Sequence, residues 1–324
     1  MDNPQHLPTK SAQYQKRGLA CVFLTFLTTA PKRTPIMKSS SILHSVIGLT
    51  ALATFAPATS HAASVVRSIG GNAASASVTA ARDQFRVDIG GGTTAGANGS
   101  FGTARREINW DGVVATSSAP NLLAANFFNT TSPRGVVFST PGTGFEVSGA
   151  TTDGGAGQPA AANFGNINAG YTATFGIFST QRLFTALGSN ITDVNFFVPG
   201  TTTPAFINAF GAIFTDVDTV GSTTLEFFNL SNASLGVFPV PVGTVGSQSL
   251  SFLGVSFNAG EKAGRVRITS GNAALGAAVN DGGATDLVAM DDFIYSEPVP
   301  EPGTISLAGL ALFGMCARRR RSAA

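Results

Sequence analysis

An all-β sandwich is predicted for residues 63–298, and two observations carry that reading. The apolar segments are short, and they either alternate with polar residues or form brief Phe, Val and Ile runs. Clusters of Gly, Thr, Asn and Pro separate them, which punctuate strands and turns rather than helices. Eleven segments of this kind suit a jelly roll with two stacked sheets.

In chain order the candidate strands are 106–112, 135–140, 145–149, 172–179, 193–198 and 209–218, then 223–230, 235–240, 249–257, 264–271 and 286–296. In the first, REINWDG, period-2 alternation puts Ile108 and Trp110 on one face and Glu107, Asn109 and Asp111 on the other. Trp110, the one tryptophan, is therefore expected in the core. The exception to the β pattern is SVTAARDQFRVDIGGG, residues 77–92. There Val78, Ala81, Phe85 and Ile89 recur at helical spacing, and Gly90 offers a C-terminal stop. One amphipathic helix near 78–89, docked on the sandwich by that stripe, is the reading. The Gly-rich stretches 90–102 and 149–170 are expected to be exposed loops.

Both ends of the chain differ from this middle. From Met37 the residues run MKSSSILHSVIGLTALATFAPATSHAA. Lys38 gives a positive n-region, Ile42 to Phe55 an apolar stretch, and Ser60-His61-Ala62 a small-x-small cleavage site, so 37–62 reads as a secretory signal peptide. Residues 1–36 precede it with a second apolar run, Leu19 to Ala30, for which a secretion signal has no use. We read them as a non-structural extension ahead of a start at Met37; an extended signal peptide is the alternative.

The C-terminal end reads VPEPGTISLAGLALFGMCARRRR, residues 299–321. Pro300-Glu301-Pro302 is not expected to continue a strand or a helix, because each proline fixes φ and removes an N–H donor. Residues 303–317 are uncharged, a span of roughly 15 residues against the roughly 17 to 25 that cross a bilayer core. Arg318, Arg319, Arg320 and Arg321 follow and would sit on the cytoplasmic side. A simple membrane anchor would use the same ingredients.

Trimming both ends changes the chemistry on offer. His6, His44 and His61 all precede Ala63; Cys21 lies upstream and Cys316 in the tail. Residues 63–302 therefore contain no His and no Cys, which excludes a Ser-His-Asp triad, a thiolate nucleophile, a zinc site of the usual ligands and a disulfide. Ten basic residues and 17 acids remain there, so the whole-chain charge of +2 becomes −7. A basic nucleic-acid footprint is absent, and no nucleic-acid partner is expected. Carboxylates, arginines and hydroxyls are left, which permit paired-carboxylate glycoside hydrolysis or calcium ligation.

The order of parts in 299–321 resembles the PEP-CTERM sorting signal of Gram-negative bacteria. That resemblance implies export by the Sec machinery, transient retention in the inner membrane through 303–317, and cleavage by an exosortase near Pro300-Glu301-Pro302. The product would be at the cell surface or extracellular, often beside extracellular polysaccharide in a biofilm. RREINWDGV, FGAIFTDVD and FLGVSFNAGEKAGRVRITSGN with DLVAMDDFIY are similar to stretches of a broad group of PEP-CTERM surface proteins. That likeness implies a jelly roll of the galactose-binding or carbohydrate-binding-module kind and brings no activity with it.

Three acidic constellations remain to be weighed. Asp111 could supply hard oxygen ligands to Ca²⁺, with a solvated strand face as the plainer account. Asp291 and Asp292 fall in the last strand. In jelly rolls with related closing strands such acids meet the first strand and share a structural calcium, so the resemblance would bring them to Asp111. Aspartates capping backbone amides are the competing reading, and no other cofactor is expected. Asp216 and Asp218 share a face at a strand end but lack the further ligands of an EF-hand, so a surface turn is expected.

The function expected is therefore that of a non-enzymatic surface or matrix protein. A carbohydrate-binding module is the alternative, with Tyr171, Tyr295 or exposed Phe as platforms. A glycoside hydrolase is the remote one, since no acid pair sits in a recognisable motif.

Overall fold

The computed structural model describes residues 64–91, 99, 105–151 and 161–301. The predicted extension and signal peptide, Pro302 and the whole of 303–321 lie outside them. Among the described residues no helix is long and apolar enough to cross a membrane.

The elements follow in chain order. Strand β1 (Ser64–Gly70) is followed by helix α1 (Ala76–Asp88) and by β2 (Arg105–Ile108). Next come the one-turn helix α2 (Phe127–Thr130), β3 (Val136–Ser139), β4 (Gly144–Val147) and another single turn, α3 (Tyr171–Thr174). Then β5 (Phe184–Leu187), β6 (Ile191–Phe196), β7 (Ala205–Phe206), β8 (Ala209–Thr215), β9 (Thr224–Asn229) and β10 (Ser234–Pro239) run to the middle hairpins. Strands β11 (Leu250–Phe257), β12 (Ala263–Thr269), β13 (Ala289–Ser296) and β14 (Val299–Pro300) close the fold.

Two large antiparallel sheets result, beside a separate two-stranded ladder of β7 and β14. One runs β1-β11-β8-β13-β5-β4, with β2 also pairing β13; the other runs β10-β9-β12-β6-β3. They bury one core between them. Phe210 and Phe214 of β8, Leu253 and Val255 of β11, and Phe293 and Tyr295 of β13 face Phe196, Leu225, Phe227, Val266 and Ile268 of the second sheet. Alternate residues on β8 and β11 point the other way, as period 2 requires.

Those outward residues receive the helix. Val78 and Phe85 are buried against Ala209, Ile213, Leu250, Phe252 and Ile294, with Ala81 and Ile89 packed beside them. This is the stripe the sequence predicts. Gly211 and Gly254 lie opposite each other across β8 and β11, and the Phe85 ring fills the dent they leave. Gly90 adopts φ 104° just past the helix, as a C-terminal stop needs.

Four expectations are corrected. Residues 172–179 form no strand: they run from α3 into an extended segment whose amides go to side chains. Gly176 N donates to Thr215 Oγ1 (2.7 Å) and Phe178 N to Asp291 Oδ2 (2.8 Å), so no ladder partner remains for them. Residues 106–112 keep strand geometry only to Ile108, and Trp110–Gly112 is a 3₁₀ turn. The segment after 160 is not simply an exposed loop, since Ala161 is buried and Phe164 joins Tyr171, Phe175, Leu183, Leu275 and Leu287 in a third apolar cluster. Finally, Val299–Pro300 does pair, with Phe206 and Ala205. A proline is tolerated there because this is a two-residue edge ladder, where a missing N–H leaves no central bond unmade. Strands β1, β5, β7 and β14 are additional to the eleven expected.

Candidate functional site

The first predicted site is built on an irregularity in β13. Met290 pairs with Phe214 and Phe293 with Ala212, so three steps on β13 match two on β8, and the extra residue is a bulge at Asp291-Asp292. Both aspartates are buried. Asp291 accepts from Phe178 N (2.8 Å), from the Asp292 amide (2.9 Å) and from Ser179 Oγ (3.0 Å). The same hydroxyl lies 2.8 Å from Asp292 Oδ1. One hydroxyl proton serves one acceptor, so a proton on the carboxyl pair satisfies the other contact. Burial, and then the neighbouring Asp292, hold the Asp291 carboxyl well above the usual carboxylate range; burial raises Asp292 as well.

Asp111 joins the same neighbourhood by another route. Its Oδ1 accepts the amides of Gln181 and, at 3.1 Å, Arg182. The three predicted calcium ligands thus hold one segment, 178–182, by its amides and hydroxyl. Among the described residues their carboxylate oxygens do not form a set of three within ligand-sharing reach. The capping alternative describes their geometry.

Trp110 is fully buried, stacked on Phe184 with centroids 4.1 Å apart and edge-on to Phe128 and Phe293. Its indole N–H donates to the Asp291 carbonyl (2.8 Å), the partner a buried indole needs. Tyr171 and Tyr295 are buried too, their hydroxyls bound to the carbonyls of Gly276 and Val279 and of Arg134. Neither offers a face to a sugar.

The carboxylates that do converge are elsewhere. One oxygen each from Asp216, Asp218 and Asp281 lies within 4.8 Å of the other two. Asp216 directly follows β8 in the left-handed region, φ 70°, its amide bound to the Ser249 carbonyl (2.8 Å). Its carboxylate is fully buried, and neither oxygen has a hydrogen-bond partner. Asp281 sits on the turn that continues through Gly282 and Gly283, both at positive φ, and accepts from Leu287 N (2.9 Å). Behind them the buried Asp286 ties the two loops together by accepting the amides of Asp218 (3.1 Å) and Thr219 (3.3 Å) and the Ser222 hydroxyl. Burial, then Asp281, Asp218 and Asp286, push Asp216 up to about 8; burial, then Asp281 and Asp286, push Asp218 up to about 6.

Strand alternation places Asp216 and Asp218 in a plain surface turn and misses their meeting with Asp281, which a period within one strand cannot report. The Asp-Gly-Gly turn at 281–283 is the available signal.

Fold and sequence together define a class: an all-β sandwich continuous at its C-terminal end with a sorting segment. Residues 298–321 match the PEP-CTERM protein-sorting motif, so the chain carries the signal of an exosortase substrate, marking export and sorting to the cell surface. Of that motif, Pro300 and the exposed Glu301 are described, whereas Pro302 and Arg318 to Arg321 are not. No curated protein matches the chain. Among solved structures, the enzymatically active domain of bacteriophage CBA120 tailspike protein 4 is similar over 57% of this chain and 21% of that one, at 11% identity and a TM-score of 0.25. A likeness of that degree carries no argument about either fold or activity.

Proposed function

We propose that the protein is a non-enzymatic component of the cell surface or extracellular matrix, released from an inner-membrane intermediate by exosortase and associated with exopolysaccharide in a biofilm. The observation that carries this reading is the sorting motif at 298–321, which begins just after β13 ends. A jelly-roll topology is part of it. The adjacent strands β5-β13-β8-β11 face β6-β12-β9-β10, the interleaving of two Greek keys. The lack of His and Cys between 63 and 302 supports a structural rather than a catalytic role. Burial of Trp110, Tyr171 and Tyr295 weighs against a sugar-binding face built on those rings.

Intact-mass measurement of the exported protein tests the processing, in cells with and without their exosortase. The expected mature form begins near Ala63 and ends near Pro300-Glu301-Pro302, and it disappears when the exosortase is deleted. Residues 1–36 or Arg318 to Arg321 on the exported form would overturn the reading. Glycan-array binding or polysaccharide hydrolysis by that form would move it to a binding or a catalytic class.

A further inference from the structure

We propose that Asp216, Asp218 and Asp281 bind a calcium ion that pins the end of β8 to the 281–286 loop. The proposal rests on this geometry and is independent of how the protein is sorted.

The donor set is three carboxylates and contains no nitrogen or sulfur. That selects a hard cation. The arrangement also lacks something. Two or three carboxylates held this close repel unless a cation or a proton lies among them. Asp286 cannot relieve them by donating, because its oxygens are taken by the amides of Asp218 and Thr219 and by Ser222, and it adds a further negative charge behind the cluster. Asp216 is the sharper case. A fully buried carboxylate with neither oxygen hydrogen-bonded forfeits its hydration with no replacement. A bound Ca²⁺ supplies the missing partner.

The exposures of the three acids suit an ion that enters from solvent. Asp216 forms the closed floor, Asp281 is half-buried, and Asp218 is exposed at the rim. Calcium takes about six to eight oxygens in flexible geometry, so water completes the shell on the open side. Magnesium requires a tighter octahedron and keeps its waters, so it is the poorer fit to a floor carboxylate already stripped of water.

The test is calorimetric and thermal titration of the intact protein with CaCl₂, after EDTA and desalting. Saturation at a free concentration about a hundredfold above Kd should raise Tm by about 5–10 °C. Asp216→Asn should abolish that response. Asp218→Asn, a change at an exposed position that does not threaten folding, should weaken binding at least tenfold. Asp111→Asn should leave the response intact, which separates this site from the 178–182 segment. Three results would each overturn the proposal: no heat and no Tm change with calcium, a response undiminished in both Asp216→Asn and Asp218→Asn, or an equal response to MgCl₂.

Discussion

The indole of Trp110 lies flat on the ring of Phe184, planes 6° from parallel and centroids 4.1 Å apart, within the core between the two sheets. Phe138 and Phe293 close around the same pair, at 6.0 and 5.1 Å from the indole. A residue placed in this way reports on the whole sandwich.

Since Trp110 is the single tryptophan, its emission should be blue-shifted and acrylamide should quench it poorly. Trp110→Ala should cost about 3–5 kcal/mol, measured by urea unfolding, because a large aromatic site would be left empty. An exposed, readily quenched indole would contradict the packing.

Helix docking depends on the two glycines beneath Phe85. A Cβ at position 254 would stand 2.6 Å from Phe85 Cδ2, so Gly254→Ala should destabilise by about 1–3 kcal/mol through overpacking. Phe85→Ala should cost about 3–5 kcal/mol by itself. The double variant should cost less than the sum, because the second change removes the atoms the first one strikes. Strict additivity would mean that the ring is not seated there.

Just ahead of the sorting motif, Glu297 accepts from Arg106, whose Nη2 lies 2.9 Å from Oε1, and both side chains are nearly inaccessible. Removing one partner of a buried pair strands the other charge, so Glu297→Ala should cost about 3–5 kcal/mol. Cleavage near Pro300 retains Glu297. The mature protein and the full chain should therefore unfold at the same urea midpoint, and a form ending before 297 at a lower one.

The acids with raised pKa set a slope of known sign. Asp216, at about 8, and Asp218, at about 6, hold protons in the native state that the unfolded chain, titrating near 4, has lost. Glu146, Asp281, Asp291 and Asp292 are raised as well. Between pH 4 and 8 the native state thus binds more protons, and stability falls as pH rises through that window. Asp83, Asp88 and Asp193 are shifted down, so what they contribute is lost only below about pH 4, outside it. In EDTA the urea midpoint should be lower at pH 8 than at pH 5. Asp216→Asn should flatten that slope, because it removes a group that holds its proton up to about pH 8.

Several features are legible in the sequence. Residues 223–230 and 249–257 correspond to β9 and β11 almost residue for residue, because side-chain alternation is a property of the strand itself. Alternation also assigns Trp110 to the core, and it lies there, although its backbone leaves the strand and turns. The segment 172–179 misleads because Phe175 and Ile177 alternate as a strand would, whereas Thr215 and Asp291 supply its hydrogen bonds. Strand β5 escapes the pattern because Phe-Thr-Ala-Leu is four residues long with little β-branching.

By itself the sequence determined the local periods, the apolar stripe of α1 and the sorting signal, since each is written in neighbouring residues. The tertiary structure decided which acids meet. Asp291 and Asp292 are adjacent in the chain and remain so, but Asp111 reaches the amides of 181 and 182 instead of joining their carboxylates. Asp216 and Asp218 meet Asp281 because the order of strands brings the end of β8 beside the loop leading into β13. Carboxylate convergence is a property of the strand ends a topology gathers together, and no period along one strand encodes it.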